Sequence, residues 1–263
     1  MPADTKRGGP NPPGSKRTAA RRRIEEKRAA EAAARAREER RRRTLIGGIG
    51  AAVVVIIAIV VVFVVQSNRT TTSANAPVPA HTISKGLVIP VGPSTAPVTV
   101  NLYEDLQCPN CRAFEAESGS TLDQLVAQGK VVLHYHPMSF LDSSANQNFS
   151  SRALNAAAVV VNAAGDQAFK KFHDLIYANQ TPETGPGMTD AQIITYAQQA
   201  GAGGPQVASA IKDMKYADWV KKVTDQASKD GVTGTPTVII GGKQVQDLTP
   251  AGIRAAVQAA SNG

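Results

Sequence analysis

Two cysteines are the residues most able to do chemistry in this chain of 263 residues, and they lie together in the stretch EDLQCPNCRAF (104–114). Only Pro109 and Asn110 separate Cys108 from Cys111. In such Cys-X-X-Cys motifs the thiol pKa falls from about 8.5 into a range of about 3.5 to 7.5. A thiolate of this kind attacks disulfides and is also a good leaving group. The spacing therefore indicates a redox centre.

Two other roles fit the cysteine pair less well. A disulfide across a two-residue loop removes little conformational entropy from the unfolded chain, so it would be a weak structural crosslink. A zinc site needs four ligands, and the chain has no further cysteines. Only His134 and His136, two positions apart on one predicted strand, could complete such a site, and packing within the strand is their expected role. We therefore predict no metal ligands and no cofactor.

The elements around the cysteines place them at the start of a helix. The segment PVTVNLYE (97–104) alternates β-branched and aromatic residues, which predicts a buried strand. From Pro109 to about Ala127 apolar residues recur on one helical face, and proline suits a first turn. Cys108 would then lie where unpaired N–H groups and the helix dipole favour an anion. Cys111, one turn later, would face the domain and close or resolve the disulfide.

The remaining pattern predicts an α/β fold with a mixed sheet. KVVLHYHPM (130–138) is a second predicted strand, and TPTVIIGGKQV (235–245) reads as a strand, a Gly-Gly turn and a strand. Between them, residues 143–180 give two helical segments, SSRALNAAAVVVNAAG and DQAFKKFHDLIYANQ. After a Pro/Gly break at 182–187, two more segments are each predicted as a helix, MTDAQIITYAQQAG and PQVASAIKDMKYADWVKKVTDQASKDG. A last helix is predicted to begin after Thr249, an N-cap residue, with Pro250 in its first turn.

Two blocks, YEDLQCPNCRAFE (103–115) and GVTGTPTVIIGGK (231–243), resemble the DsbA-like branch of the thioredoxin superfamily, in its membrane-tethered, extracytoplasmic bacterial form. The resemblance covers about residues 82–263. It implies a thioredoxin-like α/β fold with a helical insertion at about 142–230. It also implies a thiol:disulfide oxidoreductase in which Cys108 is the attacked, solvent-facing cysteine and Cys111 its buried partner.

The same resemblance implies a substrate-binding segment and two kinds of partner. Pro236 would be a cis proline beside the cysteines, and Thr235 would offer backbone hydrogen bonds to a substrate strand. The substrates implied are exported polypeptides that contain cysteine. A membrane or extracytoplasmic partner would reoxidise the pair, or reduce it if the enzyme runs in the opposite direction.

The chain departs from the family pattern at two positions that bear on the direction of electron flow. Asn110 stands where strongly oxidising members carry a histidine, and Leu102 stands where thioredoxin-like proteins often carry an acid. Glu104 and Asp105 are closer acids, which could transfer protons but are expected to be solvated or to cap the loop. Pro109 and Asn110 are expected to tune the thiol.

Disulfide introduction is the predicted activity. The alternatives are a disulfide reductase or isomerase and, from a different class, an extracytoplasmic metal chaperone or non-catalytic binding module.

The N-terminal part predicts a membrane anchor. Residues 1–43 hold 15 Lys+Arg and 6 Asp+Glu, a net charge of +9, which leaves 14 and 15 for the rest of the chain. Residues 45–65 carry no charge and would span the hydrocarbon layer as a helix, so we predict a transmembrane segment at 44–66 and a linker at 67–81.

The charge asymmetry across this segment predicts a single-pass protein of the cell membrane. The basic tail would be cytoplasmic and the 82–263 domain extracytoplasmic. Ala74-Asn75-Ala76 has the form of a signal-peptidase site, but the leader and the apolar run are too long for a signal peptide, so a retained anchor is favoured. The tail is expected to contact lipid and not nucleic acid, since it lacks interleaved aromatic residues.

Overall fold

The computed structural model describes residues 76–262, in which a five-stranded mixed sheet organises the fold. The order across the sheet is β1-β3-β2-β4-β5; β2 and β3 run parallel, and the other neighbouring pairs are antiparallel. The mixed α/β sheet predicted from the sequence is confirmed. The strands are β1 (Ile89–Val91), β2 (Val98–Asp105), β3 (Val131–Met138), β4 (Thr237–Ile240) and β5 (Lys243–Gln244).

Helices connect these strands and form the predicted insertion between β3 and β4. A π-helical turn, Glu115–Gly119, joins α1 to α2, so the helix expected from Pro109 to about Ala127 is present with one irregular turn. The helices are α1 (Pro109–Phe114), α2 (Ser120–Ala127), α3 (Phe149–Ala178), α4 (Asp190–Gln199), α5 (Pro205–Lys212), α6 (Ala217–Lys229) and α7 (Pro250–Ser261).

The β2–α1–α2–β3 unit brings the cysteine motif to the carboxyl end of a central strand. β2 lies between β3 and β4, so its last four residues, Leu102–Asp105, are all buried. Because β2 and β3 are parallel, the chain must cross back over the sheet between them, and it does so through α1 and α2. The start of α1 is therefore held directly above the end of β2.

The long helix α3 forms the centre of the insertion. The two helical segments predicted from the sequence meet at Gly165, whose φ of 81° interrupts the helical geometry. A glycine adopts this conformation without the steric strain that a side chain would bring. On both sides of Gly165, α3 places large apolar side chains in the core: Phe149, Leu154, Phe169, Phe172 and Ile176.

The prediction of a single helix over 205–231 is wrong, since α5 and α6 are separate helices. The buried Asn155 of α3 explains the break. Its Nδ2 donates to the Ile211 carbonyl oxygen at 3.1 Å, and its Oδ1 accepts from the Tyr216 N–H at 2.8 Å. One side chain thus pairs a carbonyl at the end of α5 and an N–H at the start of α6 that would otherwise lack helical partners.

The C-terminal strands and helix agree with the elements predicted from the sequence. Gly241 and Gly242, at φ of 58° and 74°, form the tight turn between β4 and β5. Thr249 is the N-cap of α7, since its hydroxyl accepts from the Gly252 N–H at 3.3 Å, and Pro250 occupies the first turn. The predicted N-cap is confirmed.

The predicted cytoplasmic tail, the transmembrane segment at 44–66 and most of the linker lie outside the described residues. Within residues 76–262 no helix combines the length and apolar character that crossing a membrane requires.

Candidate active site

Cys108 is the residue from which α1 begins. Its backbone is extended (φ −72°, ψ 120°), and Pro109 occupies the first helical turn, as predicted. The Cys108 N–H donates to the Asp105 carbonyl at 2.8 Å, which closes a tight turn between β2 and α1. Both cysteines are free thiols in this structure.

Thr235 and Pro236 come from the other end of the domain to cover Cys108. The Cys108 thiol donates to the Thr235 carbonyl oxygen at 3.4 Å, and the Thr235–Pro236 peptide bond is cis, as the resemblance implied. This contact leaves Cys108 only 5% exposed, so the expectation of a solvent-facing cysteine is wrong for the reduced chain. Cys111 has no exposed surface.

The two thiols have opposite acid–base character. A hydrogen bond from the Cys111 thiol lowers the pKa of Cys108 to about 6, against the opposing effect of burial. Thr235 and the backbone N–H groups of Cys111 and Asn110 lower it further. Burial, the hydrogen bond to Cys108 and the charge of Glu104 raise the Cys111 pKa far above its ordinary value. At neutral pH the reduced site holds a thiolate at Cys108 and a thiol at Cys111.

Asp105 is not solvated, which corrects one of the expectations for it. It is completely buried, because it ends the central strand β2 beneath the loop that follows β3. Its carboxylate accepts four hydrogen bonds, at 2.6 to 3.1 Å, so it does cap the loop, but from inside the protein. The donors are the backbone N–H groups of Gln107, Phe140 and Leu141 and the hydroxyl of Ser150.

Glu104 is also buried, at 4% exposure, so its expected solvation is wrong as well. Its Oε2 lies 3.0 Å from His173 Nε2 on α3, and His173 Nδ1 lies 3.1 Å from an oxygen of Asp174. Burial lowers the pKa of His173, but the hydrogen bonds to Asp174 and Glu104 outweigh it and raise that pKa to about 10. Glu104 is thus one member of a buried charged pair, and its charge acts on Cys111.

The end of α3 fixes the backbone around Cys108. The Tyr177 hydroxyl donates to the Asp105 carbonyl at 3.1 Å, and Gln180 Nε2 donates to the Leu106 and Cys108 carbonyls at 3.0 and 3.1 Å. Sequence reasoning missed Tyr177, Gln180 and His173, because no motif joins them to a cysteine pair about 70 positions earlier.

The other singled-out residues lie at the edge of the site or away from it. Pro109 and Asn110 are exposed beside the thiols. His136 stacks on Tyr103 and lies 2.9 Å from the Asn101 side-chain oxygen, consistent with the packing role expected for a strand histidine. Burial lowers the His136 pKa to about 4.

The rate of Cys108 alkylation is expected to rise with pH through a midpoint of about 6. Below that pH the sulfur is a protonated, unreactive thiol, and above it the thiolate predominates. The measurement is the rate of reaction of the reduced chain with iodoacetamide across pH. A Cys108→Ser variant is the control and should show no fast-reacting thiol, since Cys111 stays protonated. A midpoint near the ordinary cysteine value of about 8.5 would contradict this assignment.

Comparison with known proteins agrees with this geometry. The thioredoxin family model matches residues 85–259, and the chain belongs to the thioredoxin family. The reduced disulfide bond oxidoreductase DsbG of Mycobacterium tuberculosis is 31% identical, with a TM-score of 0.60 over 67% of this chain and 88% of that one. Oxidised DsbA of the same organism is 32% identical, with a TM-score of 0.59 over 67% and 93%.

A curated relative matches this chain over part of a longer protein. Serine/threonine-protein kinase PknE of Mycobacterium tuberculosis is 29% identical over 168 residues, a match that covers 61% of this chain and 30% of the kinase. The chain thus spans under a third of the length of the first curated relatives. Its structural neighbours are thiol–disulfide oxidoreductases, which supports an oxidoreductase enzyme.

Proposed function

We propose that the chain is a thiol:disulfide oxidoreductase that introduces disulfides into exported proteins through Cys108 and Cys111. The observation that carries the proposal is the difference between the two thiols. Cys108 begins α1 and has a pKa lowered to about 6, whereas Cys111 is buried and has a pKa raised far above its ordinary value. A cysteine that is stable as a thiolate is the better leaving group in thiol–disulfide exchange. The pair therefore favours its reduced form and draws electrons from a substrate.

The exchange runs in two balanced steps. A substrate thiolate attacks Cys108 Sγ of the Cys108–Cys111 disulfide; a substrate–Cys108 bond forms, and the electron pair of the broken S–S bond passes to Cys111. A second substrate thiolate then attacks the substrate sulfur, and Cys108 leaves as a thiolate. Overall a substrate dithiol loses two electrons and two protons; the pair gains the two electrons, Cys111 takes up one proton, and the other proton goes to solvent. Thr235 and Pro236, which lie over Cys108, are the proposed contact for the substrate backbone.

Cys111 needs a proton when it leaves, and the Glu104 carboxylate is proposed to relay it from the protonated His173, with which it is paired. Glu104 is buried, its charge acts on Cys111, and His173 holds it in place. Asp105 is not a proposed proton carrier, because four donors already occupy its oxygens. Pro109 and the Asn110 N–H are proposed to tune Cys108 from the helix start.

A Glu104→Gln variant is expected to slow reduction of the pair by about 100-fold at neutral pH, the lower end of what a positioned acid–base group contributes. Stopped-flow measurement of the reaction with a dithiol across pH tests this. Glu117→Gln, which changes an exposed acid of the π-helical turn, is the matched control. An unchanged rate and pH profile in Glu104→Gln would remove Glu104 from the mechanism.

The direction of electron flow is tested by the reduction potential of the cysteine pair in the full chain, equilibrated with glutathione. An oxidase is expected to lie between about −120 and −180 mV, the range of strongly oxidising thioredoxin-fold proteins. A value near −270 mV would instead favour the second candidate, a reductase. Asn110 supports this candidate, because it stands where strongly oxidising members of the family carry a histidine.

The proposed location is the cell membrane, with residues 45–65 as a single span, the basic tail in the cytoplasm and the domain outside. The uncharged segment and the RRRR run at 40–43 before it support this orientation. There the pair would meet both exported chains and a membrane or extracytoplasmic partner that reoxidises it. A membrane-impermeant maleimide added to intact cells should label reduced Cys108; labelling only after lysis would place the domain inside. Recovery of the labelled chain in the medium would indicate a cleaved leader.

A further inference from the structure

A second cluster of chemically capable side chains lies behind the cysteines and involves neither of them. Glu104 is the last but one residue of β2, Glu115 begins the π-helical turn, and His173 lies near the end of α3. One donor atom from each of these three residues lies within 4.8 Å of the other two. Three elements thus converge on one point with two carboxylates and one imidazole.

Several buried oxygens around this point have no hydrogen-bond partner among the described residues. They are one carboxylate oxygen of Glu104, one of Glu115 and the hydroxyl of Tyr135. Glu104 and Tyr135 are only 4% and 2% exposed, and the Tyr135 ring lies 5.0 Å from the His173 ring. A buried polar atom without a partner is costly, and native proteins pair such atoms with protein groups, water or an ion. The unpaired oxygens therefore indicate a ligand that the protein itself does not supply.

The far side of His173 has the arrangement of a metal-binding histidine. Its Nδ1 lies 3.1 Å from an Asp174 carboxylate oxygen, and its Nε2 is hydrogen-bonded to Glu104. A metal ion bound at Nε2 would take the place of the proton between His173 and Glu104, since a histidine binds metals as neutral imidazole. Histidines that bind metals nearly always donate their second ring N–H to a carboxylate, carbonyl or water, which fixes the tautomer and orients the ring. Asp174 would perform this function for His173.

We propose that Glu104, Glu115 and His173 bind one zinc-class divalent cation. One imidazole nitrogen and two carboxylates match the ligand preference of Zn²⁺, whereas Ca²⁺ takes six to eight oxygen ligands. Three protein ligands leave one tetrahedral position for water. A cavity of about 350 Å³, lined by Glu115, Asp123, Lys170 and Asp174, reaches the cluster and offers a route from solvent.

The inference goes beyond the proposed function, because the site contains neither cysteine. No metal ligands were predicted from the sequence, because the only zinc site that its motifs suggested combined the cysteines with His134 and His136. Zinc on Glu104 would occupy the carboxylate that is the proposed proton carrier. Metal loading would therefore slow thiol exchange.

The test uses zinc with the full chain, without an affinity tag, in a Cys108→Ser/Cys111→Ser background, so that thiolates cannot bind the metal. Equilibrium dialysis is expected to show one zinc per chain, and X-ray absorption an oxygen and nitrogen shell that includes one imidazole. His173→Gln should weaken binding by more than about 100-fold, beyond the loss that outer-shell changes cause. His81→Gln and Glu117→Gln, which alter exposed residues, are the matched controls and should bind normally.

Glu115→Gln provides a second test if circular dichroism shows that His173→Gln does not fold. Glu115 lies at the cavity and, unlike His173, is only partly buried, so its replacement should preserve the fold while weakening zinc binding to a similar degree. Binding of less than one zinc per chain overturns the proposal. So does an unchanged affinity in a folded His173→Gln or Glu115→Gln variant, or a metal spectrum without imidazole.

Discussion

A Cys108→Ser variant is expected to lose catalysis of disulfide exchange altogether, so that a reduced multi-cysteine polypeptide refolds no faster than without the protein. Serine cannot form the mixed disulfide, and Cys111 cannot replace Cys108 because it is buried and stays protonated. The measurement is the rate of oxidative refolding with the unmutated chain, with Cys108→Ser and with no addition. Few single substitutions in this chain should have a larger effect.

The matched variant is Cys111→Ser, in which the attacked cysteine remains but its resolving partner is absent. Given a substrate that contains a disulfide, it is expected to accumulate a covalent complex: Cys108 attacks the substrate disulfide, one substrate thiolate leaves, and the Cys108–substrate bond remains. The complex is visible on a non-reducing gel and removed by dithiothreitol. If the Cys108→Ser chain refolds the substrate as fast as the unmutated one, the redox function is wrong. If Cys108→Ser/Cys111→Ser also keeps its cellular function, a non-catalytic binding module is favoured.

An Asp105→Ala variant is expected to lose about 3–5 kcal/mol of unfolding free energy. The carboxylate accepts four hydrogen bonds in a fully buried position, and its removal leaves donors from three segments without an acceptor. Each buried donor that loses its partner costs about 1–3 kcal/mol, although local relaxation recovers part of the sum. Urea unfolding of the reduced chain, followed by circular dichroism, measures the change.

Two controls separate this effect from a general loss of charge. Glu117→Ala removes an exposed acid and should change the unfolding free energy by no more than about 0.5 kcal/mol. Asp105→Asn keeps one acceptor oxygen and should fall between the alanine variant and the unmutated chain. A loss below about 1 kcal/mol in Asp105→Ala would show that water or a shifted backbone satisfies the four donors.

The sequence predicted the parts of the fold that depend on local pattern. The alternation in 97–104, the Gly-Gly turn at 241–242 and the Thr249 cap each act over a few residues, so each could be recognised in the linear chain. β1 could not, since three residues are too short to show a period. The break between α5 and α6 depends on Asn155, which lies 56 positions before one partner and 61 before the other.

The residues of the candidate site also fall into two groups, those that a local motif identifies and those whose surroundings depend on distant contacts. Cys108, Cys111 and the Thr235–Pro236 segment belong to linear motifs that the sequence shows, and the structure brings Thr235 into contact with Cys108. Glu104 and Asp105 were expected to be solvated because acids next to a loop usually are. Their burial follows from contacts with α3 and with the loop after β3, which no local pattern encodes.

The hydrogen bonds between the end of α3 and the loop 105–108 limit how this domain can be altered by recombination. Tyr177 lies in the last turn of the helix that forms the centre of the insertion, and Gln180 follows two residues after its end. Their side chains donate to the carbonyls of Asp105, Leu106 and Cys108. The insertion is therefore not an independent module that can be exchanged between relatives. A chimaera that imports a foreign insertion must also bring donors at these two positions, or its cysteine loop will lose the contacts that fix its backbone.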